Sequence, residues 1–199
     1  MTASEMRSNL AKTQMWVWGC MESKGFHDGR TNDDDDTLVR ITLIGTEISE
    51  AIQEVKRHWT DTPSEELKDK VAEELADVAI RLFDVAGCLG LNLSVSEWFR
   101  KEETPNRDDL FHSLGMLQYI TSSWFGSVSG LRVHDSDSVV VAAILQCCDG
   151  ICAIIDRDLF AAVERKMVKN MARPHKYGTP EATTLCTTQT SMTEPVSVS

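Results

Sequence analysis

Positive charge is scarce in this sequence. Its 199 residues carry 20 lysines and arginines against 31 aspartates and glutamates, a net charge of −11. Such a balance excludes a sequence-independent grip on DNA or RNA, which needs a basic face. It leaves free nucleotides open, since their phosphates need only a local cation. Cys-x-x-Cys pairs are missing as well. The cysteines at 20, 88, 147, 148, 152 and 186 lie mostly in apolar segments. They read as reduced, mostly buried thiols of a cytoplasmic protein rather than as disulfides or a zinc site. No secretory signal is visible, because the first apolar run, Met15 to Met21, is short and ends in Glu22-Ser23-Lys24. No convincing alternating strand pattern occurs. Val139 to Ile155 is apolar but carries Gln146 and Asp149 near its middle. An Asp at the centre of a membrane helix costs about 2.5–3.5 kcal/mol, so a buried core helix is expected there and no membrane partner.

What is present is helical spacing. A segment holding Trp16, Trp18 and Met21 opens the chain, and a polar loop from Gly25 to Asp36 follows. That loop ends in four aspartates, 33 to 36, placed to meet the positive end of the next helix. Ile41, Ile44, Ile48, Ala51, Ile52 and Val55 predict a helix over about Thr37 to Trp59. Thr62-Pro63-Ser64-Glu65 reads as a capping box with Thr62 as N-cap and Pro63 in the first turn. The helix it starts runs to about Ala86, with Gly87 and Gly90 ending it. Further helices are expected over about Ser94–Glu103, Asp108–Ser127, Ser138–Ile155 and Asp158–Ala172. The Thr- and Ser-rich stretch 179–199 has too little apolar surface to offset its ordering entropy and is expected to be a flexible tail. The class predicted is all-α: one domain over 1–178, a hairpin over 37–93, inserted helices over 94–157 and a basic helix over 158–178.

A shift of 72 residues lays Ile48-Ser49-Glu50-Ala51 on Ile120-Thr121-Ser122-Ser123 and Glu74-Leu75-Ala76-Asp77 on Gln146-Cys147-Cys148-Asp149. The second copy keeps the apolar character and loses three of the four carboxylates. Two readings stand: a duplicated hairpin with one copy silenced, or the chance alignment of two amphipathic hairpins.

Glu47 and Glu50 are three apart in one predicted helix, and Glu74 and Asp77 three apart in the next. Residues at that spacing share a face. Both pairs fall roughly 13–21 Å from the turn at about 1.5 Å per residue. Antiparallel packing then brings all four to one level. Four carboxylates crowded together repel, and one or two Mg²⁺ ions, with Mn²⁺ as a substitute, would relieve the conflict and could clamp a phosphoryl transfer. A di-iron site would need Glu-x-x-His pairs, and none occurs. Taken singly, each pair reads as a solvated helix face; the combination of two pairs, a capped turn and matched heights is what favours the metal.

The charge reverses near the C-terminus. Arg165, Lys166, Lys169, Arg173 and Lys176 fall between Glu164 and Glu181 without an intervening acid. Lys166, Asn170 and Arg173 share a helix face and could meet phosphates, while His175 and Tyr177 could stack on a base. Taken alone, a basic helix end that answers the macrodipole is the plainer reading; beside the carboxylate cluster, phosphate contact is favoured. Lys56, Arg57, His58 and Trp59 stay open between nucleotide contact and helix capping.

At these residues the chain resembles the all-α nucleoside triphosphate pyrophosphohydrolases of the MazG family. The likeness rests on Glu47-Ile48-Ser49-Glu50-Ala51, on Glu73-Glu74-Leu75-Ala76-Asp77-Val78, and on Lys166 to Pro174 followed by Gly178. Lys24-Gly25-Phe26 is similar to the lead-in of phage and bacterial members. The resemblance implies Mg²⁺ held by Glu47, Glu50, Glu74 and Asp77, and a nucleotide met by Lys166, Asn170, Arg173, Lys176 and Tyr177. It implies an enzyme that converts a nucleoside or deoxynucleoside triphosphate to the monophosphate and pyrophosphate. The segment 94–157 is an insertion relative to compact members; read as a silenced second hairpin, it is similar to the duplicated architecture of the related dimeric dUTPases. A homodimer is expected, and a non-catalytic helical binding module is the alternative.

Overall fold

The structure is a computed structural model that describes residues 1–31, 33–58, 63–93, 110–130 and 137–175. The expected helix over Ser94–Glu103, the tail, and Trp59, Thr62, Lys176, Tyr177 and Gly178 lie outside the described residues. Among the described residues there are seven helices and no strand, so the all-α expectation holds. They are α1 (Ala3–Ser8), α2 (Leu10–Ser23), α3 (Asp34–His58), α4 (Glu65–Cys88), α5 (Leu110–Val128), α6 (Asp137–Ile154) and α7 (Leu159–Ala172).

The opening helical segment is two helices, not one. Thr2 and Glu5 form a capping box that starts α1, and Asn9 ends it and caps α2 by accepting from the Lys12 N–H. Asparagine competes well as a cap, so the chain breaks there. α3 starts earlier than the apolar spacing suggested. Asp33 accepts from the Asp36 N–H at 2.9 Å, which places Asp34 to Asp36 inside the first turn instead of before it.

The start of α4 also differs from the expected box. Ser64, not Thr62, is the N-cap, with extended backbone and its hydroxyl accepting from the Leu67 N–H at 3.2 Å. Pro63 therefore precedes the helix, and Glu65 binds Lys68 and Arg157 instead of completing a capping box. At the other end Gly90, at φ +63, takes the left-handed position. The Leu91 N–H returns to the Ala86 carbonyl and the Gly90 N–H to that of Gly87, a Schellman closure. Gly87 itself does not end the helix. It lies within α4, where a Cβ would meet the Trp18 side chain at 2.6 Å, so its role is close approach of α2.

α4 is the central helix, touching α2, α3, α6 and α7. Its buried positions run around much of its circumference, with alanines 72, 76, 79 and 86 among Leu75, Val78, Leu82 and Phe83. The small residues let neighbouring helices come close, and the large ones fill the space between them. α3 meets it through Ile44, Ile48, Ala51 and Val55, all fully buried. α5 lies on α3, α6 lies on α4, and the two touch each other. Trp124 of α5 is 1 % exposed and donates its indole N–H to Asp137 at the start of α6. α6 is long and apolar enough, by length and composition, to cross a membrane. In the fold it sits against α4, α5 and α7, with Val141, Ile144, Leu145, Cys148, Ile151 and Cys152 buried. Cys148 and Cys152 are thus free, buried thiols, as expected, and burial holds both well above the ordinary thiol range.

Candidate metal centre

The α3–α4 hairpin is locked by its apolar seam, and the carboxylates flank it. Glu47, Glu50 and Glu74 each offer an oxygen within 4.8 Å of the others. The matched heights inferred from rise per residue are therefore realised for these three. Glu47 is 9 % exposed, Glu74 is half-buried and Glu50 faces solvent. Asp77 lies one turn beyond Glu74 and is held by Lys166, whose Nζ is 2.7 Å from its carboxylate.

Two of the four acids have cationic partners inside the fold. The Arg81 Nε donates to Glu47 Oε1 at 2.7 Å, and its second nitrogen reaches the same oxygen. Lys166 stays charged: burial works against its proton, but the bond to Asp77 and the fields of Glu74 and Glu73 prevail and raise it. Among the described residues, Glu50 and Glu74 make no comparable bond. Burial first, and then the charges of Asp77, Glu50 and Glu47, push Glu74 up to about 7, although Lys166 pulls the other way. Carboxylates that share a small volume behave so when cations are too few. A divalent ion suits this set, because every donor is a hard oxygen of the kind Mg²⁺ takes.

α7 carries the basic face onto the rim of this cluster by packing on α4. Lys166 reaches Asp77, and Lys169 reaches Glu73 at 2.7 Å and holds that carboxyl below its usual range. One turn after Lys166, the Asn170 Oδ1 is buried without a hydrogen-bond partner among the described residues. An orphaned amide oxygen on the same face as Lys166 fits an absent donor such as a hydrated ion or a ligand. Arg173 is exposed and caps α7, and its carbonyl accepts from Lys24 Nζ at 2.8 Å. Gly25 has φ +74, and a Cβ there would run into the His175 ring. The Lys24-Gly25 turn and the Arg173-Pro174-His175 segment, far apart in sequence, thus meet. Arg57 bonds Gln53 within α3 at 3.0 Å.

Comparison of the chain with family models, with curated proteins and with solved structures finds no match.

Sequence reasoning missed a second polar group on the same seam. His27 Nε2 lies 2.6 Å from Asp84 Oδ1, and Arg40 donates to the other Asp84 oxygen at 2.7 Å. Arg40 also binds Asp36, which binds Arg30. The Trp18 ring stacks on His27 with centroids 5.7 Å apart. Bonding to Asp84 first, then to Cys88, raises His27 to about 9 even though burial opposes its charge. The signal was spacing. Residues 74, 77, 81, 84 and 88 form one stripe of α4, polar throughout in a helix otherwise mostly buried.

Proposed function

We propose that the chain is a Mg²⁺-dependent nucleoside triphosphate pyrophosphohydrolase, turning a nucleoside or deoxynucleoside triphosphate and water into the monophosphate and pyrophosphate. The observation that carries this is the convergence of Glu47, Glu50 and Glu74 from two helices beside the cationic edge of α7. The MazG-like motifs lie on those same elements and support the reading.

Mg²⁺, held by Glu47, Glu50, Glu74 and Asp77, would supply Lewis-acid charge and an acidified water. The chain's own groups do the rest. Glu50, the most exposed of the three converging acids, is available to orient the attacking water and accept its proton. Attack at the α-phosphorus breaks the α–β anhydride bond, and pyrophosphate leaves with the electron pair. Lys166 offsets charge on that leaving group once it exchanges Asp77 for phosphate oxygen, and the Asn170 amide gains a partner. Arg81 holds Glu47 in one direction through its two contacts to the same oxygen.

The α5–α6 hairpin supports the duplication reading. α4 begins at Glu65 and α6 at Asp137, a separation equal to the 72-residue shift, and α5–α6 lies alongside α3–α4. In that copy Ser122 and Gln146 stand where Glu50 and Glu74 do, and Asp149 is bound to Arg7. A homodimer would cover Phe111, Met116, Tyr119 and Phe125, which α5 leaves exposed. Light scattering showing a monomer counts against it.

The deciding experiment mixes the purified chain with Mg²⁺ and each nucleoside triphosphate and measures pyrophosphate. Release is expected with at least one, and Glu50→Gln and Glu74→Gln each abolish it while helicity by circular dichroism is kept. Full activity in both variants refutes the assignment. The internal bonds Arg81–Glu47 and Lys166–Asp77 favour one other reading, a non-catalytic nucleotide-binding module. Such a module gains thermal stability with nucleotide and releases no pyrophosphate.

A further inference from the structure

A second set of ligand atoms converges away from the acid cluster. His27 Nε2, an oxygen of Asp84 and Cys88 Sγ all lie within 4.8 Å of one another. The same imidazole nitrogen is 2.6 Å from Asp84 Oδ1 and 3.9 Å from Cys88 Sγ. One imidazole nitrogen thus faces both an oxygen and a sulfur, and three ligand atoms converge on a single point. Asp84 and Cys88 are four apart on α4 and project from one face, while His27 comes from the loop after α2.

We propose that His27, Asp84 and Cys88 form a binding site for a thiophilic divalent ion of the zinc class, with water completing the shell, distinct from the acid cluster. Mixed nitrogen, oxygen and sulfur donors suit such an ion and are refused by Mg²⁺. The supporting groups are in place. Arg40 fixes the free oxygen of Asp84, Asp36 fixes Arg40, and the Trp18 ring stacks against His27. Outer partners of this kind orient metal ligands. Asp84 is seven residues beyond Asp77, about 10 Å along the helix, so the two sites are separate.

Binding of the ion displaces whatever protons these ligands carry, and those protons pass to solvent.

The test uses the full chain, stripped of metal by a chelator and titrated with Co²⁺ in excess Mg²⁺. A thiolate-to-cobalt charge-transfer band is expected, saturating at one ion per chain and erased by Zn²⁺. Cys88→Ser removes the band, whereas Cys20→Ser, Cys147→Ser and Glu50→Gln keep it. The last of these separates this site from the proposed catalytic one. In the unmodified chain, Zn²⁺ is expected to slow alkylation of Cys88 at least tenfold, read by peptide mass mapping. Absence of a thiolate band, a band that survives Cys88→Ser, or alkylation indifferent to Zn²⁺ overturns the proposal.

Discussion

The His27–Asp84 pair makes the stability of the metal-free protein depend on pH in a direction that can be worked out beforehand. The imidazole is held between α2 and α4: Asp84 and Cys88 face it from α4, Trp18 from α2, and Arg40 of α3 reaches it through Asp84. Its proton is retained up to about 9 in the fold, against an ordinary value of 6.5. A raised histidine contributes fully below its unfolded value and loses the contribution as pH climbs through its folded one. The window therefore runs from about pH 6.5 to about pH 9. At about 1.4 kcal/mol per unit, the pair is worth about 3 kcal/mol at pH 6, a sizeable share of the 5–15 kcal/mol of a typical domain. Buried Cys148 and Cys152 also weaken the fold at high pH, because their thiols ionise only once unfolded. That loss is common to the parent and to His27→Gln and cancels in their difference. Urea unfolding in chelator at pH 6, 7, 8 and 9.5 should show the parent more stable than His27→Gln by about 3 kcal/mol at the lowest pH, with the gap closing at the highest. A gap that stays constant, or widens with pH, refutes the ion pair as its origin.

Three further outcomes are expected. On the proposed function, Lys166→Ala removes a charge-assisted contact to phosphate worth about 1.5–3 kcal/mol, so kcat/KM for the best triphosphate should fall roughly 10- to 100-fold, measured by pyrophosphate release. Gly87→Ala places a methyl 2.6 Å from Trp18 and should cost about 1–3 kcal/mol in urea unfolding, with Trp fluorescence altered. Ser64→Ala deletes the cap of α4 and should cost about 1 kcal/mol, seen as a lower unfolding midpoint at unchanged m-value.

The sequence carried the hairpin well because its signals are local. Ile44, Ile48, Ala51 and Val55 lie at helical spacing, and so do Val71, Leu75, Val78 and Leu82, so each helix declares the face it buries. Once a short turn joins the two, the level of Glu47, Glu50 and Glu74 follows from rise per residue alone. What stayed hidden depends on distant partners. Whether Ser64 or Thr62 caps α4 is a contest between neighbours that a propensity scale does not decide. Gly87 looks like a stop signal until Trp18, from another helix, is seen to need its space. His27 is one polar residue in a polar loop, and only the folded chain shows it pointed at Asp84, 57 residues away. Arg81 had a readable signal, a cation four residues after Asp77, but its choice of Glu47 over Asp77 required the register of α3 against α4.

The polar stripe along the α3–α4 seam has two halves with opposite electrostatic character. At the Arg40 end, Arg30, Asp36, Arg40, Asp84 and His27 alternate in sign and bond one another. In such a chain every desolvated group has a partner, which offsets part of the cost of taking it out of water. At the Glu50 end the acids outnumber the cations, and the shortage appears as the elevated Glu74. Folding alone gives no reason to leave such a shortage, since a lysine at position 50 would relieve it at no packing cost on an exposed face. Retaining Glu50 therefore makes physical sense if cationic charge arrives from outside the chain. The satisfied half holds α3, α4 and the loop after α2 in register, so that binding of the proposed ion and triphosphate would not also have to organise the helices.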